Sequence, residues 1–210
     1  MNQTKKISKP TTQRFPIYLK VLRNLKDKGV TKVVSSTLAE YSGILATTIR
    51  RDFSLIGKFG KQGVGYDIDD LISTFSLELG IYNKEEEIIL IGVGNLGRAL
   101  LNYNNWVNVV GKIVCAFDIN PQHISDISIP VYHINDLVKY KPNSCKIAIV
   151  CITHDVQNTI NLLYRSGITG IVDLTTEHFE IPIGLNVKSI DFVSKIQELV
   201  FEANRGKDGV

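Results

Sequence analysis

Residues 88–101 read IILIGVGNLGRALL. An apolar run leads into three glycines with the spacing Gly92-x-Gly94-x-x-Gly97, and a segment suited to a helix follows. Gly92 permits a tight turn, Gly94 lets a pyrophosphate approach the backbone, and Gly97 lets the helix pack closely against the strand. The N–H groups at the start of the helix then face the phosphates. Because a strand precedes the glycines and a helix follows them, the pattern predicts a dinucleotide-binding loop.

A carboxylate follows at the distance that such a loop requires. The apolar run at residues 112–117 ends at Asp118, twenty-one residues after Gly97. At this place a carboxylate accepts hydrogen bonds from the hydroxyls of an adenosine ribose. It would repel a 2′-phosphate, so we expect NADH and NAD+ to be preferred to the phosphorylated coenzymes. The alternative is a structural aspartate at the end of a strand.

The segments beyond the glycine loop alternate between strand-like and helix-like patterns. Helix-compatible segments separate short, nearly continuous apolar runs, which occur at residues 88–93, 112–117, 146–152 and 170–174. One of these helices, at about residues 155–165, is expected to stop at Gly167. Apolar strands that alternate with helices predict an α/β fold with a parallel sheet covered on both faces.

Charge divides the chain of 210 residues into two parts. Residues 1–64 carry thirteen Lys and Arg against three Asp and Glu, a balance of +10, and the remainder carries −7. A short basic segment before an acidic remainder indicates two domains with different partners, the first a candidate for phosphate backbones. A solvated charged face is the alternative.

Composition also bounds the location of the protein. No apolar run approaches the ~20 residues of a membrane span, and no secretory segment stands at the beginning of the chain. Three cysteines, Cys115, Cys145 and Cys151, lie in or beside apolar runs. We interpret them as buried, reduced thiols and expect a cytoplasmic protein with neither a metal site nor a membrane partner.

The basic segment has the pattern of a helix-turn-helix. Pro16 suits the first turn of a helix, and Gly29 supplies the C-terminal cap. A second helix is expected to start at Ser36 or Thr37, with Glu40 three residues after Thr37 as in a capping box, and to stop at Ser42 and Gly43. A third helix follows over about residues 46–56. Two helices joined by a tight, glycine-containing turn predict a DNA-binding element.

The third helix and the segment after it carry side chains suited to DNA. Thr47 and Thr48 lie near the start of the predicted helix, and Arg50 and Arg51 follow at positions from which a recognition helix reaches bases and phosphates. Residues 57–66, GKFGKQGVGY, predict a β-hairpin wing, because glycine permits approach to a minor groove and lysine neutralises phosphate. Binding through such contacts weakens steeply with salt. A flexible loop is the alternative.

Catalysis is the weaker hypothesis for the second part of the chain. A hydride-transfer enzyme needs a general acid or base near the nicotinamide, and His154 is the only histidine that the predicted strands place close to it. The sequence contains no nucleophile–base set and no pair of histidines with metal-ligand spacing. The residues therefore favour a dinucleotide sensor over a dehydrogenase, with no catalytic residue.

These motifs together resemble one family, the redox-sensing transcriptional repressors called Rex, over about residues 9–203. The resemblance rests on TQRFP at residues 12–16, SSTLA at 35–39, IRRDF at 49–53, GKFGKQGVGYD at 57–67, GVGNLGRALLNY at 92–103, AFD at 116–118, PVY at 130–132 and IDF at 190–192. The wing and the glycine loop are the most specific of these motifs.

The resemblance implies a homodimer. Each chain would have a winged helix-turn-helix domain (residues 1–82), a Rossmann-like domain that binds NAD(H) (residues 83–190) and a C-terminal helix and tail that swap onto the partner (residues 191–210). Such dimers bind palindromic operator DNA and repress genes of NADH-reoxidising pathways. NADH releases the operator, whereas NAD+ competes for the same site without releasing it.

The resemblance also implies roles for single residues. Asp191 and Phe192 would reach the partner's nicotinamide pocket near Tyr103, and Arg14 would be an alternative partner of Asp191 in the DNA-bound form. The alternatives are helix capping for Asp191, core packing for Phe192 and phosphate contact for Arg14. The expected coenzyme-binding residues are Gly92, Val93, Gly94, Asn95, Leu96, Gly97, Tyr103, Asp118, Ile119, Thr153, Asp191 and Phe192. The expected DNA-binding residues are Arg14, Ser36, Thr47, Thr48, Arg50, Arg51, Lys58, Phe59, Lys61, Gln62, Gly63 and Tyr66.

Three segments depart from the family pattern. Residues 151–154 (CITH) replace the usual Val-Pro-Ala, and residues 173–176 (DLTT) replace Asn-Phe-Ala/Thr-Pro, both at the nicotinamide end. Residues 48–51 (TIRR) replace Gln-Val-Arg-Lys on the recognition helix. We expect the first two changes to affect the NADH/NAD+ affinity ratio and the third to affect base preference.

Three other hypotheses stay open on the sequence. A small NAD-dependent oxidoreductase would use His154 as its acid or base. A CoA-binding module would use the glycine loop, which also resembles that of the succinyl-CoA synthetase alpha subunit, although Asp118 fits a ribose diol better than the phosphorylated ribose of CoA. A winged-helix regulator that senses another nucleotide is the third.

Overall fold

The computed structural model describes residues 7–57, 59, 65–82, 84–103 and 110–205. The backbone falls into two compact units, Met1–Lys84 and Glu85–Val210. The clusters of buried apolar side chains fall within one unit or the other, so each unit has its own hydrophobic core. None of the helices in this part of the chain combines the length and the apolar character that a membrane span requires.

The first unit combines helices with a two-stranded ribbon. Its elements are α1 (Lys9–Asp27), β1 (Lys32–Val33), α2 (Ser35–Ser42), α3 (Ala46–Ile56), β2 (Tyr66–Asp67) and α4 (Ile68–Glu78). The two strands pair antiparallel, with Val33 opposite Tyr66. Helices α2 and α3 pack against each other, and Gly43, with a φ of +69°, turns the chain between them. The predicted helix-turn-helix is therefore confirmed.

An aromatic cluster forms the centre of this unit. Phe15 and Tyr18 of α1, Phe53 of α3 and Phe75 of α4 are each almost fully buried. The ring of Phe53 lies 5.3 Å from that of Phe75 and 5.5 Å from that of Tyr18, both in edge-to-face contact. Because large rings from three helices bury one another, α3 is held firmly against α1 and α4.

Helix α1 begins at Lys9, so the placement of Pro16 in the first turn of a helix is wrong. The Ser8 hydroxyl caps the helix by accepting the N–H of Thr11 at 3.4 Å. Pro16 stands in the helix interior and leaves the carbonyl of Thr12 without its helical N–H partner. Both residues are on the exposed side of the helix, where water can satisfy that carbonyl.

The predicted end of α1 is confirmed. Gly29 has a φ of +78°, in the left-handed region that glycine adopts most readily. Its N–H donates to the carbonyl of Lys26, and the N–H of Val30 donates to that of Leu25. This pair of hydrogen bonds forms the Schellman motif, which satisfies carbonyl groups at the end of a helix.

Helix α2 lacks the predicted capping box. It begins at Ser35, two residues before Thr37, and Val34 at the N-cap position makes no side-chain hydrogen bond. Strand pairing fixes the chain up to Val33, and the buried Ser35 hydroxyl accepts a hydrogen bond from Arg50 at 2.9 Å. These long-range contacts override the local start signal.

The second unit is a parallel sheet with helices on both faces. Its elements are β3 (Glu86–Ile91), α5 (Asn95–Asn102), β4 (Gly111–Asp118), β5 (Val131–His133), α6 (Leu137–Tyr140), β6 (Ile147–Val150), α7 (Val156–Arg165), β7 (Gly170–Asp173), β8 (Asn186–Ser189) and α8 (Phe192–Arg205). Within the described residues the strand order is β5-β4-β3-β6-β7-β8, and every neighbouring pair is parallel. This order is that of a Rossmann fold and confirms the predicted α/β architecture. It reverses between β3 and β6, where such folds place their ligand crevice.

The central strand β3 is buried on both faces. Ile89 and Ile91 belong to one core cluster, and Ile88 and Leu90 belong to the other. Successive side chains of a strand point to opposite faces, so a strand that is apolar at every position needs cover on both sides. The nearly continuous apolar run before the glycines is therefore explained.

The three cysteines are free thiols. Cys115 and Cys145 are buried, as predicted, whereas Cys151 is only partly buried. Burial raises the pKa of the Cys115 thiol to about 11 and raises that of Cys145 as well, so both stay protonated at neutral pH. Among the described residues, no cluster of three or more His, Cys, Asp or Glu side chains could hold a metal ion.

Helix α8 leaves its apolar side chains uncovered. None of its residues is buried by the rest of the described chain, and its exposed apolar side chains are Phe192, Val193, Ile196, Leu199, Val200 and Phe201. An amphipathic helix normally buries such a stripe. Helix α8 therefore presents an apolar surface that its own chain does not cover.

Candidate functional site

A cavity of about 650 Å³ opens beyond the carboxyl ends of β3, β4 and β6. This is the place where the strand order reverses, and its volume is that of a small-molecule site. Five segments line it: the glycine loop, the residues after β4, those after β5, the turn between β6 and α7 with the first turns of α7, and the loop after β7. The predicted coenzyme-binding residues found in its lining are Gly92, Gly94, Asn95, Leu96, Asp118, Ile119 and Thr153.

The three glycines have different surroundings. A Cβ atom on Gly92 would lie 2.9 Å from the carbonyl oxygen of Cys151, and the φ of Gly92 is +92°. A Cβ on Gly97 would lie only 2.2 Å from the carbonyl oxygen of Gly92. A Cβ on Gly94 would meet no heavy atom of the described residues within 4 Å. The chain thus needs the first and third glycines for its own packing, whereas the second leaves room for a ligand.

Helix α5 begins at this open position. Gly94 is its N-cap residue and has no side chain that could accept the first N–H groups of the helix. The helix dipole adds a partial positive charge at the same end. A phosphate placed over Gly94 would satisfy both features.

Asp118 faces the glycine loop and is half-buried at the end of β4. Its Oδ2 accepts the N–H of Val93 at 2.8 Å, and its Oδ1 accepts the N–H of Asn120 at 2.9 Å. A carboxylate has about four lone-pair positions, so two hydrogen bonds leave acceptor capacity toward the cavity. The structural alternative is therefore real, and it does not exclude binding of a ribose by the same side chain.

Cys151 lies beneath the glycine loop. Its Sγ donates to the carbonyl oxygens of Gly92 at 3.1 Å and Ile91 at 3.3 Å. Burial, with a smaller contribution from the negative charge of Asp118, raises the pKa of this thiol to about 11. Cys151 is therefore a protonated donor that supports the loop and not a nucleophile.

The turn between β6 and α7 lines the opposite part of the cavity. Thr153, His154 and Asp155 are exposed and contribute to its lining. Asp155 has a φ of +56° and a ψ of +34°, the left-handed conformation that is uncommon outside glycine. Its Oδ1 accepts a hydrogen bond from the side-chain amide of Asn158.

The loop after β7 is fixed by a buried carboxylate. Asp173 accepts hydrogen bonds from the Thr175 N–H at 2.9 Å, the Thr175 hydroxyl at 2.7 Å and the Ser189 hydroxyl at 2.7 Å. Gln157 also exchanges two hydrogen bonds with the backbone of Glu180. At residues 173–176, where the chain departs from the family pattern, threonine and serine hydroxyls therefore satisfy the acceptor positions of Asp173.

Five predicted coenzyme-binding residues lie outside the cavity lining. Val93 and Gly97 are buried beside it in the packing of the glycine loop. Asp191 accepts the N–H groups of Val193 at 2.9 Å and Ser194 at 3.1 Å, so the capping alternative describes it in this chain. Hydrogen bonds from Ser194 hold the pKa of Asp191 below its ordinary value.

Tyr103 and Phe192 complete this group of five. Both are exposed, at 62% for Tyr103 and 63% for Phe192, and neither is among the described residues that line the cavity. Phe192 is therefore not a core residue of its own chain, which removes the packing alternative for it.

The predicted recognition helix carries a buried carboxylate. Asp52 of α3 is 1% exposed and accepts the Arg14 Nε at 2.6 Å, the Arg14 Nη2 at 2.7 Å and the Tyr18 hydroxyl at 2.7 Å. Burial disfavours the ionised carboxyl, but hydrogen bonds from Arg14 and Tyr18 outweigh it and hold the pKa of Asp52 below its ordinary value. Burial, together with Asp52, raises the pKa of Tyr18.

This ion pair bears on the role expected of Arg14. The guanidinium faces Asp52 of its own unit in a bidentate geometry, and Asp191 is occupied with capping α8. The Arg14 guanidinium is therefore already engaged within the first unit. Either expected role, as a partner of Asp191 or as a phosphate contact, would require it to share or leave Asp52.

The outer side of the helix-turn-helix carries the other predicted DNA contacts. Ser36, Thr47 and Arg51 are exposed, and Thr48 is half-exposed. Arg50 is also exposed and donates to the Ser35 hydroxyl, which ties α3 to the first turn of α2. These side chains leave a polar, basic surface on the face of α3 away from the aromatic core.

The two aromatic residues predicted to contact DNA, Phe59 and Tyr66, are partly buried. The ring of Tyr66 lies 5.1 Å from that of Phe53, and the ring of Phe59 lies 6.3 Å from it. Both rings extend the aromatic core, which explains their presence at the two ends of the predicted wing. The other predicted wing contacts lie outside the described residues: Lys58, Lys61, Gln62 and Gly63.

Sequence reasoning missed two features of the candidate sites, the buried ion pair of Asp52 and the left-handed backbone of Asp155. Asp52 is the single acidic residue of α3 and lies three positions after the buried Ile49, on the inner face of the helix. That placement was a usable signal, because a carboxylate on a buried face requires a cation. Asp155 had no local signal, since aspartate before a helix normally caps it.

Comparison with known proteins assigns the two parts of the chain to two families of domain. Residues 6–54 match the family model described as "Putative DNA-binding protein N-terminus". Residues 83–177 match the model of the CoA binding domain. The second match fits the Rossmann topology and the glycine loop described above.

Full-length relatives are more specific. The chain is 36% identical over 205 residues to the redox-sensing transcriptional repressor Rex of Listeria welshimeri, an alignment that covers 96% of this chain and 95% of the relative. It is 37% identical over 209 residues to the Rex of Lactobacillus gasseri, with 97% of this chain and 96% of the relative covered.

Solved structures agree with these relatives. The crystal structure of RSP in complex with β-NAD+ and operator DNA matches 97% of this chain and 95% of its own, with a TM-score of 0.83 and 28% identity. RSP in complex with β-NADH matches 97% of both chains, with a TM-score of 0.81 and 26% identity. The resemblance inferred from the motifs is confirmed, and this chain belongs to the Rex family of redox-sensing transcriptional repressors.

Proposed function

We propose that this chain is a repressor that binds operator DNA as a homodimer and releases it when NADH occupies the cavity of the second unit. The observation that carries the proposal is the glycine loop, in which Gly94 alone of the three glycines is open, with Asp118 beside it. RSP, a Rex-family repressor, is crystallised with NAD+ and operator DNA and with NADH. The protein then reports the NADH/NAD+ ratio, and the cytoplasm is its expected location.

The residues present fit a dinucleotide. The pyrophosphate would lie over Gly94 and the first N–H groups of α5, where helix dipole and uncapped donors favour an anion. The adenosine ribose would lie against Asp118, whose charge opposes a 2′-phosphate. Thr153 and the turn after β6 would then line the nicotinamide half. When bound, NADH supplies a neutral ring and NAD+ a cationic one, and the protein distinguishes the two.

CoA is the ligand class that the second family model suggests. Its ribose carries a 3′-phosphate, which would bring a dianion close to the carboxylate of Asp118, at a place where NADH offers hydroxyl donors. Isothermal titration calorimetry of the purified chain with NADH, NADPH and CoA separates the hypotheses. We expect heat from NADH alone at micromolar ligand; binding of CoA without NADH would replace our proposal with a CoA module.

A dehydrogenase is the other alternative, and its acid or base would be His154. This histidine lines the cavity, so geometry alone permits contact with a substrate. The family, however, consists of repressors. Turnover of NADH with 2-keto acids or aldehydes, followed by absorbance at 340 nm, would support the alternative, and we expect none above background.

The DNA-binding half of the proposal uses the outer side of the helix-turn-helix. Thr47, Thr48 and Arg51 would face the major groove, and Ser36 would contact phosphate. Arg50 would contact DNA from the position in which its hydrogen bond to the Ser35 hydroxyl holds the side chain. The predicted wing at residues 57–66 would reach the minor groove, with Lys58, Lys61, Gln62 and Gly63 as its contacts. Because much of this binding releases counterions, affinity should fall steeply with salt.

The homodimer is proposed from the uncovered surface of α8. Its exposed apolar stripe needs a cover that its own chain does not give, and a second copy of the chain supplies one. In the swapped arrangement Asp191 and Phe192 of one chain would complete the partner's nicotinamide pocket beside Tyr103. The proposed domains then span residues 1–82, 83–190 and 191–210.

Release requires two states of the dimer. In one state the two recognition helices are about one DNA turn apart and match a palindrome. In the other state, which binds NADH more tightly, that spacing is lost. NADH can shift the equilibrium only by its differential affinity, and about 5.5 kcal/mol would move it from 1:99 to 99:1.

Gel shifts with titrated coenzymes test the function directly. A palindromic duplex is first selected from a random pool by the purified chain without NADH. We expect NADH to abolish the shifted band, NAD+ to leave it, and excess NAD+ to raise the NADH concentration needed. A band that persists at saturating NADH would refute the proposal.

Sedimentation velocity tests the dimer separately. Leu199→Glu places a charge in the apolar stripe of α8, and Glu198→Gln on the same helix removes a charge from an exposed pair with Lys195. We expect the wild type and Glu198→Gln to sediment as dimers and Leu199→Glu as a monomer with unchanged circular dichroism. A dimer that survives Leu199→Glu would contradict the proposed interface.

A further inference from the structure

Four aspartates of the described residues stand immediately before helices, and two of them, Asp136 before the short α6 and Asp155 before α7, do not cap their helices. Asp67 accepts the N–H groups of Asp69 at 3.0 Å and Asp70 at 3.2 Å, and Asp191 accepts two such groups in the same way. Asp155 makes no side-chain hydrogen bond to the N–H groups of α7. Its carboxylate is turned away from the usual capping position and contacts the side-chain amide of Asn158.

This uncapping is accompanied by an unusual backbone. Asp155 has a φ of +56°, and among the described non-glycine residues positive φ occurs at Asp126 and Asp155. An unusual backbone conformation persists where the surroundings fix it, and such positions cluster at functional sites. Asp155 and its partner Asn158 both line the cavity.

The position of Asp155 within the cavity follows from the strand order. Asp118 ends β4, the glycine loop follows β3, and Asp155 comes after β6, on the other side of β3 from β4. On the proposed function, the adenosine ribose lies at Asp118 and the pyrophosphate lies over the glycine loop. The remaining half of the dinucleotide then extends over β6, and its nicotinamide ring reaches the turn that contains Asp155.

The two coenzyme forms differ at this end by one unit of charge. The oxidised nicotinamide ring is a cation, and the reduced ring is neutral. The N-terminus of α7 carries a partial positive charge, which disfavours a cation beside it. A carboxylate at the same place, not engaged with the helix N–H groups, favours the cation. Asp155 therefore makes the local potential at the ring more negative, in addition to the partner's Asp191, which the proposed swap brings to the same pocket.

We propose that Asp155 determines the NADH/NAD+ affinity ratio by stabilising the cationic ring of bound NAD+. This inference rests on the proposed function and makes Asp155 a specificity-determining residue of that site. Because the carboxylate is exposed, solvent and salt screen its charge. We expect its presence to lower the ratio of NADH affinity to NAD+ affinity by about three- to tenfold. Without it the protein would respond to a lower NADH/NAD+ ratio.

Two isosteric variants separate charge from backbone. Asp155→Asn removes the charge and keeps a residue type that adopts the left-handed region as readily as aspartate. Asp126→Asn makes the same change at the other left-handed aspartate, which is not among the described residues that line the cavity. Any effect common to both variants reflects net charge or backbone and not the site.

The experiment is calorimetry of NADH and NAD+ with the wild type and both variants, at 50 mM and 500 mM salt and constant pH. We expect Asp155→Asn to weaken NAD+ by three- to tenfold, to leave NADH within twofold, and to lose much of this difference at high salt. Asp126→Asn should match the wild type. An unchanged ratio in Asp155→Asn, or equal losses for both coenzymes, would overturn the inference.

A functional readout distinguishes this inference from the function on which it rests. In gel shifts at fixed NAD+, Asp155→Asn should release the selected duplex at three- to tenfold less NADH than the wild type. If the wild type binds neither coenzyme, the proposed function fails. If the wild type binds both coenzymes and Asp155→Asn has the wild-type ratio, the inference alone fails.

Discussion

Each of the two units has an aspartate within a predicted site, and the two side chains have different roles. Asp52 on α3 is buried, and Arg14 and Tyr18 together fill three of its acceptor positions with side-chain donors. Asp118 at the end of β4 is half-buried and accepts two backbone N–H groups. The first carboxylate is satisfied by its own unit, whereas the second keeps acceptor capacity toward a cavity.

This difference separates a structural carboxylate from a binding one. A buried charge is tolerated only when hydrogen-bonded partners surround it, and Asp52, which is 1% exposed and holds three side-chain donors, is not accessible to DNA. A binding carboxylate must remain partly unsatisfied until its ligand arrives. The number of donors already present around an aspartate therefore indicates its role better than its place in a motif.

Substitution of Asp52 should produce the largest effect. Asp52→Asn leaves the Arg14 guanidinium without a counter-charge, and breaking a buried pair costs about 3–5 kcal/mol; the partial exposure of Arg14 favours the lower end. Urea unfolding at neutral pH measures the loss. The control is Asp69→Asn, which breaks an exposed pair with Lys26 and should cost less than about 1 kcal/mol. Similar small losses in both variants would contradict the structural role of Asp52.

The same carboxylate predicts the sign of a pH dependence. The pKa of Asp52 is lower in the folded chain than the ~3.9 of a free aspartate. Its contribution to stability is therefore complete above about pH 4 and is lost as the pH falls through the lower folded pKa. Unfolding free energies measured from pH 3 to pH 7 should fall toward acid, and less steeply in Asp52→Asn. Equal slopes would show that other carboxyls dominate.

Local backbone preferences account for what the sequence could predict of the fold. Gly29 and Gly43 end helices as expected, because a left-handed residue after a helix is a property of a few neighbouring positions. The parallel sheet was predictable because each buried strand is a short apolar run that can be recognised from a few neighbouring residues. Thr37 was misplaced because the pairing of β1 with β2, which are distant in sequence, sets the start of α2. Pro16 was misplaced for a different reason, since the local cap at Ser8 starts α1 well before it.

The candidate site divides in the same way. The glycine loop and Asp118 follow a fixed local spacing, and the structure brings them together at one cavity. The partners of Asp52 lie 34 and 38 residues away in the sequence, so no local pattern connects them. Asp155 adopts its conformation without a glycine, in a turn fixed by β6 and α7. The partners of Asp52 and the backbone conformation of Asp155 depend on how helices and strands are arranged around them, which local sequence patterns do not indicate.

The glycine loop offers the next largest effect. Gly97→Ala places a Cβ 2.2 Å from the carbonyl oxygen of Gly92, so we expect it to destabilise the second unit by about 1–3 kcal/mol and to lose NADH binding. Gly94→Ala meets open space at a backbone conformation that alanine accepts. It should keep the melting temperature of the unliganded protein and lose NADH affinity by tenfold or more.

Thermal melting with and without NADH measures both variants. We expect Gly97→Ala to lower both the melting temperature and the NADH affinity, and Gly94→Ala to lower the NADH affinity alone. If Gly94→Ala retained NADH affinity, no phosphate would approach this part of the loop, and the coenzyme would lie elsewhere.

Asp118→Asn tests whether Asp118, unlike Asp52, is a binding residue. The amide oxygen of asparagine can accept one of the two N–H groups that Asp118 now accepts, so the loop should fold at a cost of about 1 kcal/mol for the lost bond. Charge-assisted bonds to a ribose, worth about 1.5–3 kcal/mol, would weaken. We expect NADH affinity to fall by about tenfold and the preference over NADPH to narrow. Calorimetry with both coenzymes checks this, with Asp126→Asn as the control for lost charge. A large loss of stability instead would make Asp118 a structural residue like Asp52.

The smallest effect concerns the neighbour of Asp52 on α3. Arg51 is exposed whereas Asp52 is buried, so adjacent residues of one helix face solvent and core respectively. Arg51→Ala should keep the stability of the first unit, weaken operator binding by about 1 kcal/mol and lower the salt slope of binding by about one ion. Gel shifts over a range of salt measure the slope, with the exposed Lys188→Ala of β8 as the control. An unchanged slope with altered base preference would assign Arg51 to a base edge and not to phosphate, because only contacts with phosphate release counterions.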